Sequence, residues 1–410
     1  MSNPHQYLPP ETLDCIIDLL HDEPATLKDC CLVSKSWVPP TRKHLFANIE
    51  LLSVKDIHSW KKAFPDPSIS PAYHTHTLSV CWTQAVTEAD AWAAGLIQTF
   101  PHVMRLKLTR PTLSNNVQAT LSTLREIPFA PFYKFSPTLE SLHVNFIFLP
   151  CVQIFDLVCS SPLLEDLVLF GHSSSFGGVD STRGTQVIGP STSPALTGSL
   201  DLHILGGMGT GYATRRLLDL PNGLRFRKFV FSWSSEEDLW WMLELVAKCS
   251  DTLECLDVER SPPCAFVLAL RSSNDLPSLV VRDSPTSVNL SKAIKLRGAV
   301  FRLESLTVTW VITALQTITS KHRDLRQISV YVPHDVTLTD IGPNTGQIVE
   351  EVISSQWLEL DCLLVQLWEL HSIRPNVVHV VPRFSGAQKI GYCIGDLLPE
   401  ATRRGVIDLV

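Results

Sequence analysis

The residues of this chain whose types could do chemistry do not assemble into a catalytic pattern. Gly171-His172-Ser173-Ser174-Ser175 approaches the GxSxG nucleophile elbow, in which a serine on a strained strand-to-helix turn attacks a carbonyl carbon. The fifth position is serine, where the elbow needs glycine for close strand–helix packing. Gly206-Gly207-Met208-Gly209-Thr210-Gly211 follows a strand-like run but lacks GxGxxG spacing, and reads as a glycine-rich turn. No P-loop motif occurs. His74-Thr75-His76 would place two imidazoles on one strand face, but no third metal ligand accompanies them. The 11 cysteines are scattered, without a CxxC pair or a Cys/His quartet of zinc spacing. They read as reduced, mostly buried thiols. No catalytic, cofactor-binding or metal-binding residue is expected, and no cofactor.

Bulk properties narrow the function further. At 410 residues the chain is too long for one ordinary domain and long enough for a large core. Charged residues make up 18%, below the usual quarter, and the formal net charge is -7 with no dense basic run. General nucleic-acid binding, which needs clustered Lys and Arg, is therefore not expected. Residues 1–10 lack a basic segment followed by an apolar one, and no stretch approaches the roughly 18 apolar residues of a membrane span. These features lead us to expect a cytoplasmic or nuclear protein with no membrane contact. Asn289-Leu290-Ser291 fits a glycosylation acceptor, but such triplets are common by chance.

The elements that position side chains fall into two groups. In the first 50 residues, Leu8-Pro9-Pro10-Glu11 reads as a helix entry, with apolar Leu13, Ile16, Ile17 and Leu20 on one face. His21 to Pro24 ends that helix, and a second starts near Ala25 and runs through Leu27, Cys30 and Cys31. Leu32 to Trp37 opens a third, interrupted at Pro39-Pro40 and resumed from Arg42 to Phe46. Three such short helices cannot bury enough apolar surface alone, so the rest of the chain or a partner must cover the excess.

Beyond them an apolar–x–x–apolar–x–apolar pattern recurs. Copies are Val103 to Leu108, Leu139 to Val144, Leu164 to Leu169, Phe226 to Phe231, Leu253 to Val258, Leu303 to Val308 and Leu325 to Val330. Weaker copies lie at Leu196 to Ile204 and Leu276 to Val281. This is irregular leucine-rich-repeat spacing. The last two apolar positions alternate, as a strand with one buried face requires. Helix-like runs such as Ile154 to Cys159 and Leu239 to Cys249 precede several copies, with turns at Ser136-Pro137, Ser161-Pro162 and Asp251-Thr252. The expected fold class is α/β: a short helical module over residues 1–50, then a strand-plus-helix solenoid with a parallel sheet over 51–410. Trp240 and Trp241 are expected to pack between repeats, with Trp82 and Trp92 read likewise. The Ser-, Gly-, Thr- and Pro-rich residues 171–199 are expected to form a protruding, mobile loop, where Ser193-Pro194 is either a phosphorylation site or plain linker.

The signature positions Leu8-Pro9, Glu11, Ile17, Leu20, Leu27, Leu32-Val33 and Trp37 together resemble an F-box. The whole arrangement, with its ending Leu398 to Gly405, looks like the F-box proteins with divergent leucine-rich repeats of mushroom-forming fungi. That resemblance implies a non-catalytic substrate receptor of a Skp1–cullin–F-box ubiquitin ligase. By the same resemblance Leu8, Pro9, Ile17, Leu20, Leu27, Leu32, Val33 and Trp37 would face a Skp1-like adaptor, and through it a cullin. The alternative is a non-catalytic repeat scaffold whose N-terminal helices only cap the solenoid. In either case strand alternation turns Lys107, His143, Asp166, Asp257, Glu259, Thr307 and Tyr331 to the open face of the sheet, as candidates for contact with a target protein.

Overall fold

The architecture comes from a computed structural model, which describes residues 9–66, 69–81, 95, 97, 99–109, 130–149, 151–173, 196–205, 214–220, 223–233, 236–260, 288–303, 308–333, 346–371, 376–380 and 397–409. It divides into two compact units. The first is residues 1–164 with 185–194, and the second is residues 165–184 with 195–410.

Three helices open the first unit: α1 (Pro10–Leu19), α2 (Pro24–Val33) and α3 (Val38–Leu45). Each carries proline in its first turn, where a missing N–H leaves no hydrogen bond unmade. This corrects the expected third helix. Leu32 and Val33 end α2, and Pro39-Pro40 initiate α3 instead of interrupting it, because the helix begins only at Val38. Leu13, Ile17, Leu27 and Cys30 form a small core, with Leu20, Trp37 and Leu45 packed against it. His44 Nε2 on α3 lies 2.6 Å from Asp18 Oδ1 on α1 and ties the two helices together.

Four strands follow: β1 (Asn48–Leu51), β2 (Thr77–Cys81), β3 (Arg105–Thr109) and β4 (Ser141–Leu149). Each pairs in parallel with the next. Parallel neighbours need a crossover. Here α4 (Val54–Ala63), with a Ser53–Asp56 capping box, lies between β1 and β2, and α5 (Cys151–Ser160) follows β4. Of these strands the repeat pattern locates β3 and β4. It misses β1 and β2, although Ile49/Leu51 and Leu78/Val80 alternate in the same way. His74 lies in a 3-10 helix and His76 precedes β2, so these imidazoles do not share a strand face.

The second unit continues the theme with β5 (Asp166–Ser173), β6 (Ser199–Leu205), β7 (Lys228–Trp233), β8 (Cys255–Arg260), β9 (Gly298–Arg302), β10 (Gln327–Pro333), β11 (Asn376–Val380) and β12 (Asp408–Leu409). These too pair in parallel, each with its sequence neighbour. Crossover helices include α6 (Glu236–Cys249), α7 (Thr309–Gln316), α8 (Gly346–His371) and α9 (Pro399–Arg403). On α6, Leu239, Met242, Leu245 and Val246 face inward, while Trp240 and Trp241 sit half-buried with their rings 4.4 Å apart. The expected copy at Leu303 to Val308 is displaced. The strand is β9, whose buried pair is Ala299 and Phe301, and Val308 instead precedes α7. An alanine in the leucine slot hides this repeat from a search for leucines. Residues 174–195, 206–211, 276–281 and 304–307, together with Trp82 and Trp92, lie outside the described residues, and Gly171–Ser173 belongs to β5.

Register is fixed at the entry to several strands. There the carbonyl of the residue preceding one strand accepts two successive amides from the next repeat. Ala47 accepts from His76 and Thr77, Met104 from Glu140 and Ser141, Arg227 from Glu254 and Cys255, and Arg297 from Arg326 and Gln327. Both carbonyl lone pairs are used. Threonine hydroxyls repeat a second link: Thr75 to the Phe46 carbonyl at 2.9 Å, Thr138 to Val103 at 2.8 Å and Thr252 to Phe226 at 3.1 Å. The inward side chains then align in rows, as in Leu78–Leu106–Leu142 and Leu200–Phe229–Leu256.

Two outcomes test this packing. Leu142→Ala and Leu167→Ala, both at fully buried sites, are each expected to cost roughly 2–5 kcal/mol in denaturant unfolding. Gly198→Ala is expected to cost about 1–3 kcal/mol, because its methyl would meet Asp166 Oδ1 at 2.6 Å and the Glu165 carbonyl oxygen at 3.0 Å.

Candidate protein-interaction surfaces

The α1–α3 module divides the residues expected to face an adaptor. Ile17 and Leu27 are fully buried in its own core, and Leu20 and Trp37 pack against that core, so these four hold the helices together. Pro9 is exposed, and Leu32 and Val33 at the end of α2 are 85% and 65% exposed. Leu8 lies outside the described residues. Leu19, at the end of α1, is likewise 83% exposed. Sequence periodicity missed it because it lies off the Leu13–Ile17 stripe. Such large side chains gain nothing in water and are the ones a partner can cover.

On the open face of the second unit two sets of polar contacts lie across β6 to β9. Register places Phe170 beside His203, Ser232 beside Glu259, Glu259 beside Arg302, and Arg302 beside Tyr331. His203 Nδ1 bonds Ser232 Oγ, whose hydroxyl donates to Glu259 Oε2 at 3.4 Å. His203 Nε2 lies 2.7 Å from Asp201 Oδ1, an ion pair when the imidazole is protonated. Arg302 forks onto Asp257 at 3.0 and 2.9 Å and lies 4.4 Å above the Tyr331 ring. Burial pushes the His203 pKa down, but the Asp201 carboxylate and the pull of Glu259 and Asp257 outweigh it and leave the pKa raised.

Asp201, His203 and Ser232 are the residue types of a hydrolase triad, but their arrangement is unsuited to attack. Ser232 is 2% exposed, and the Glu259 carboxylate beside its hydroxyl would repel a developing oxyanion. The described cysteines are free thiols, and burial holds Cys249 up at about 11 and raises Cys255. No group of three His, Cys, Asp or Glu side chains suited to a metal occurs among the described residues. Nor, among them, is any helix long and apolar enough to cross a membrane.

The residues expected on the target face thus have different employments. Asp166 accepts the Ser199 amide at 2.8 Å and its hydroxyl at 2.7 Å, so it fastens β6 to β5. Asp257 and Tyr331 hold Arg302. Glu259 is half-buried at the end of the His203–Ser232 chain. Lys107 is exposed on the first unit's open face, beside half-buried His143. Thr307 lies outside the described residues. Sequence reasoning missed Asp201, His203, Ser232 and Arg302, whose signal was available in strand alternation once β6, β7 and β9 were in register. No protein-family model matches the chain, and no curated protein matches it.

The raised His203 pKa has a defined pH signature. A folded-state value above the unfolded 6.5 means that protonated His203 contributes stability fully below about pH 6.5. That contribution is lost as pH rises through the folded-state value. The melting-temperature gap between the native chain and His203→Gln is expected to be widest below pH 6.5 and to shrink above it. A gap independent of pH would remove the ion-pair account.

Proposed function

We propose that this chain is the target-holding subunit of a Skp1–cullin ubiquitin ligase, an F-box module joined to irregular leucine-rich repeats. The module docks on a Skp1-like adaptor, and the open sheet faces hold a protein for ubiquitin transfer. Such a subunit works by raising effective concentration and needs no catalytic residue.

The observation that carries this reading is the exposure of Leu19, Leu32 and Val33 on helices that already possess their own core. Together with Pro9, they are apolar side chains left in water on α1 and α2, which a docked adaptor would cover. The capping alternative draws on α3, which packs against the 3-10 helix Pro71–His74 ahead of β2. A cap accounts for α3, but it gives no reason to keep Leu32 and Val33 in water.

The exposed and buried subsets make separable predictions. Leu32→Asp with Val33→Asp is expected to abolish co-purification with Skp1 and cullin while leaving the melting temperature within a degree or two, since both side chains are exposed. Ile17→Ala is expected to lower stability by roughly 2–5 kcal/mol and adaptor capture with it. Undiminished adaptor capture by the double aspartate variant would leave the scaffold reading in its place.

A further inference from the structure

We propose that the open face of the first unit holds a short, extended acidic segment of a protein, with Arg105 and Lys107 each meeting one carboxylate. The inference rests on reading the open sheet face as the target-holding surface and names what part of it reads.

Arg105 and Lys107 are both exposed and flank buried Leu106 on β3, so they project from the same side of the sheet. Alternate strand residues stand about 6.6–6.8 Å apart, and an extended partner repeats its own side chains at that interval. Carboxylates at alternate positions therefore match the two cations one to one. A single phosphate would instead need both cations to converge on one point.

Neither cation forms an ion pair with a described residue. Other arginines at the sheet face do: Arg302 is forked onto Asp257, and Arg297 lies 3.3 Å from Glu254. The register neighbours carry no carboxylate. Thr77 and Ser141 flank Arg105, while Ser79 and His143 flank Lys107. Thr77 is only 9% exposed, and its hydroxyl has no hydrogen-bond partner. Arg105 thus stands beside a buried hydroxyl and without a charge partner among the described residues.

The positive charge is bounded. Glu50 lies on the same lateral row as Ser79 and Lys107, and Glu140 immediately precedes Ser141. Those carboxylates would repel a continuous polyanion, so the site suits a short acidic stretch and not a nucleic-acid backbone.

The test uses the full chain and fluorescence anisotropy with three labelled peptides. One alternates glutamate and threonine, the second replaces glutamate by glutamine, and the third is neutral with a single phosphoserine. The glutamate peptide is expected to bind, with affinity falling as salt rises, and the glutamine peptide to bind at least about tenfold more weakly. Arg105→Ser with Lys107→Ser is expected to weaken the glutamate peptide by a similar factor without changing the melting temperature. Lys228→Ser, an exposed lysine of the second unit, is expected to change nothing. Equal binding of the glutamate and glutamine peptides, indifference to the double variant, or tighter binding of the phosphoserine peptide would each overturn the proposal. Adaptor capture is measured in parallel. Its loss with peptide binding intact would sink the ligase reading alone, and its retention with no peptide binding would sink this inference alone.

Discussion

The register of this sheet rests on a shared hydrogen-bond acceptor that recurs at strand entries. Where a strand begins, the carbonyl before it takes two consecutive amides from the following repeat, as His76 takes Met104 and Arg105, and Glu254 takes Arg297 and Gly298. A carbonyl has two lone pairs, and filling both at the same place in repeat after repeat locks each strand's register to its neighbour's. A slip of one residue would turn every leucine of the affected strand into water. Crossovers of different length, from the 3-10 helix Ala130–Phe135 to the 14-residue α6, can then be accommodated, because register is set at the strand entry and not by the connection.

That division of labour leaves the open face chemically free. Residues between the inward leucines need only satisfy themselves, and the two units do so differently. In the second, His203, Ser232, Glu259, Asp257 and Arg302 satisfy one another across β6 to β9. In the first, Arg105 and Lys107 have no such partner among the described residues. A face whose charges are already paired has less to gain from a ligand than one whose charges are not, since the pairing must be given up first.

The end of the chain is anchored by a similar economy of polar groups. Asp361, 2% exposed on α8, accepts the amides of Glu400 and Ala401 at 2.8 Å each, and so caps α9 with a carboxylate from 40 residues away. Arg403 and Arg404 then hold the Glu400 carboxyl down at about 2. The segment Leu398 to Gly405, which sequence offered only as a familiar ending, is therefore a helix start whose cap is supplied by another element.

The sequence by itself determined the class of fold and most of its repeats. The alternation of Leu142/Val144, Leu167/Leu169, Phe229/Phe231 and Leu256/Val258 is a local property, because a strand buried on one side must read that way whatever surrounds it. The proline-led starts of α1 and α2 were legible for the same reason. Tertiary structure decided what depends on register or on another element. An alanine fills the β9 slot because its neighbours supply the bulk, and Pro39-Pro40 start a helix because Val38, not Leu32, is its first residue. Only packing separated Ile17 and Leu27, which the module consumes in its own core, from Leu32 and Val33, which it leaves in water. Likewise Asp166 and Lys107 read alike as outward strand residues, and only the neighbouring strands decide that one is bonded to Ser199 while the other lies between Ser79 and His143. Periodicity reports which way a side chain points, and what it meets there is set by residues far away in the chain.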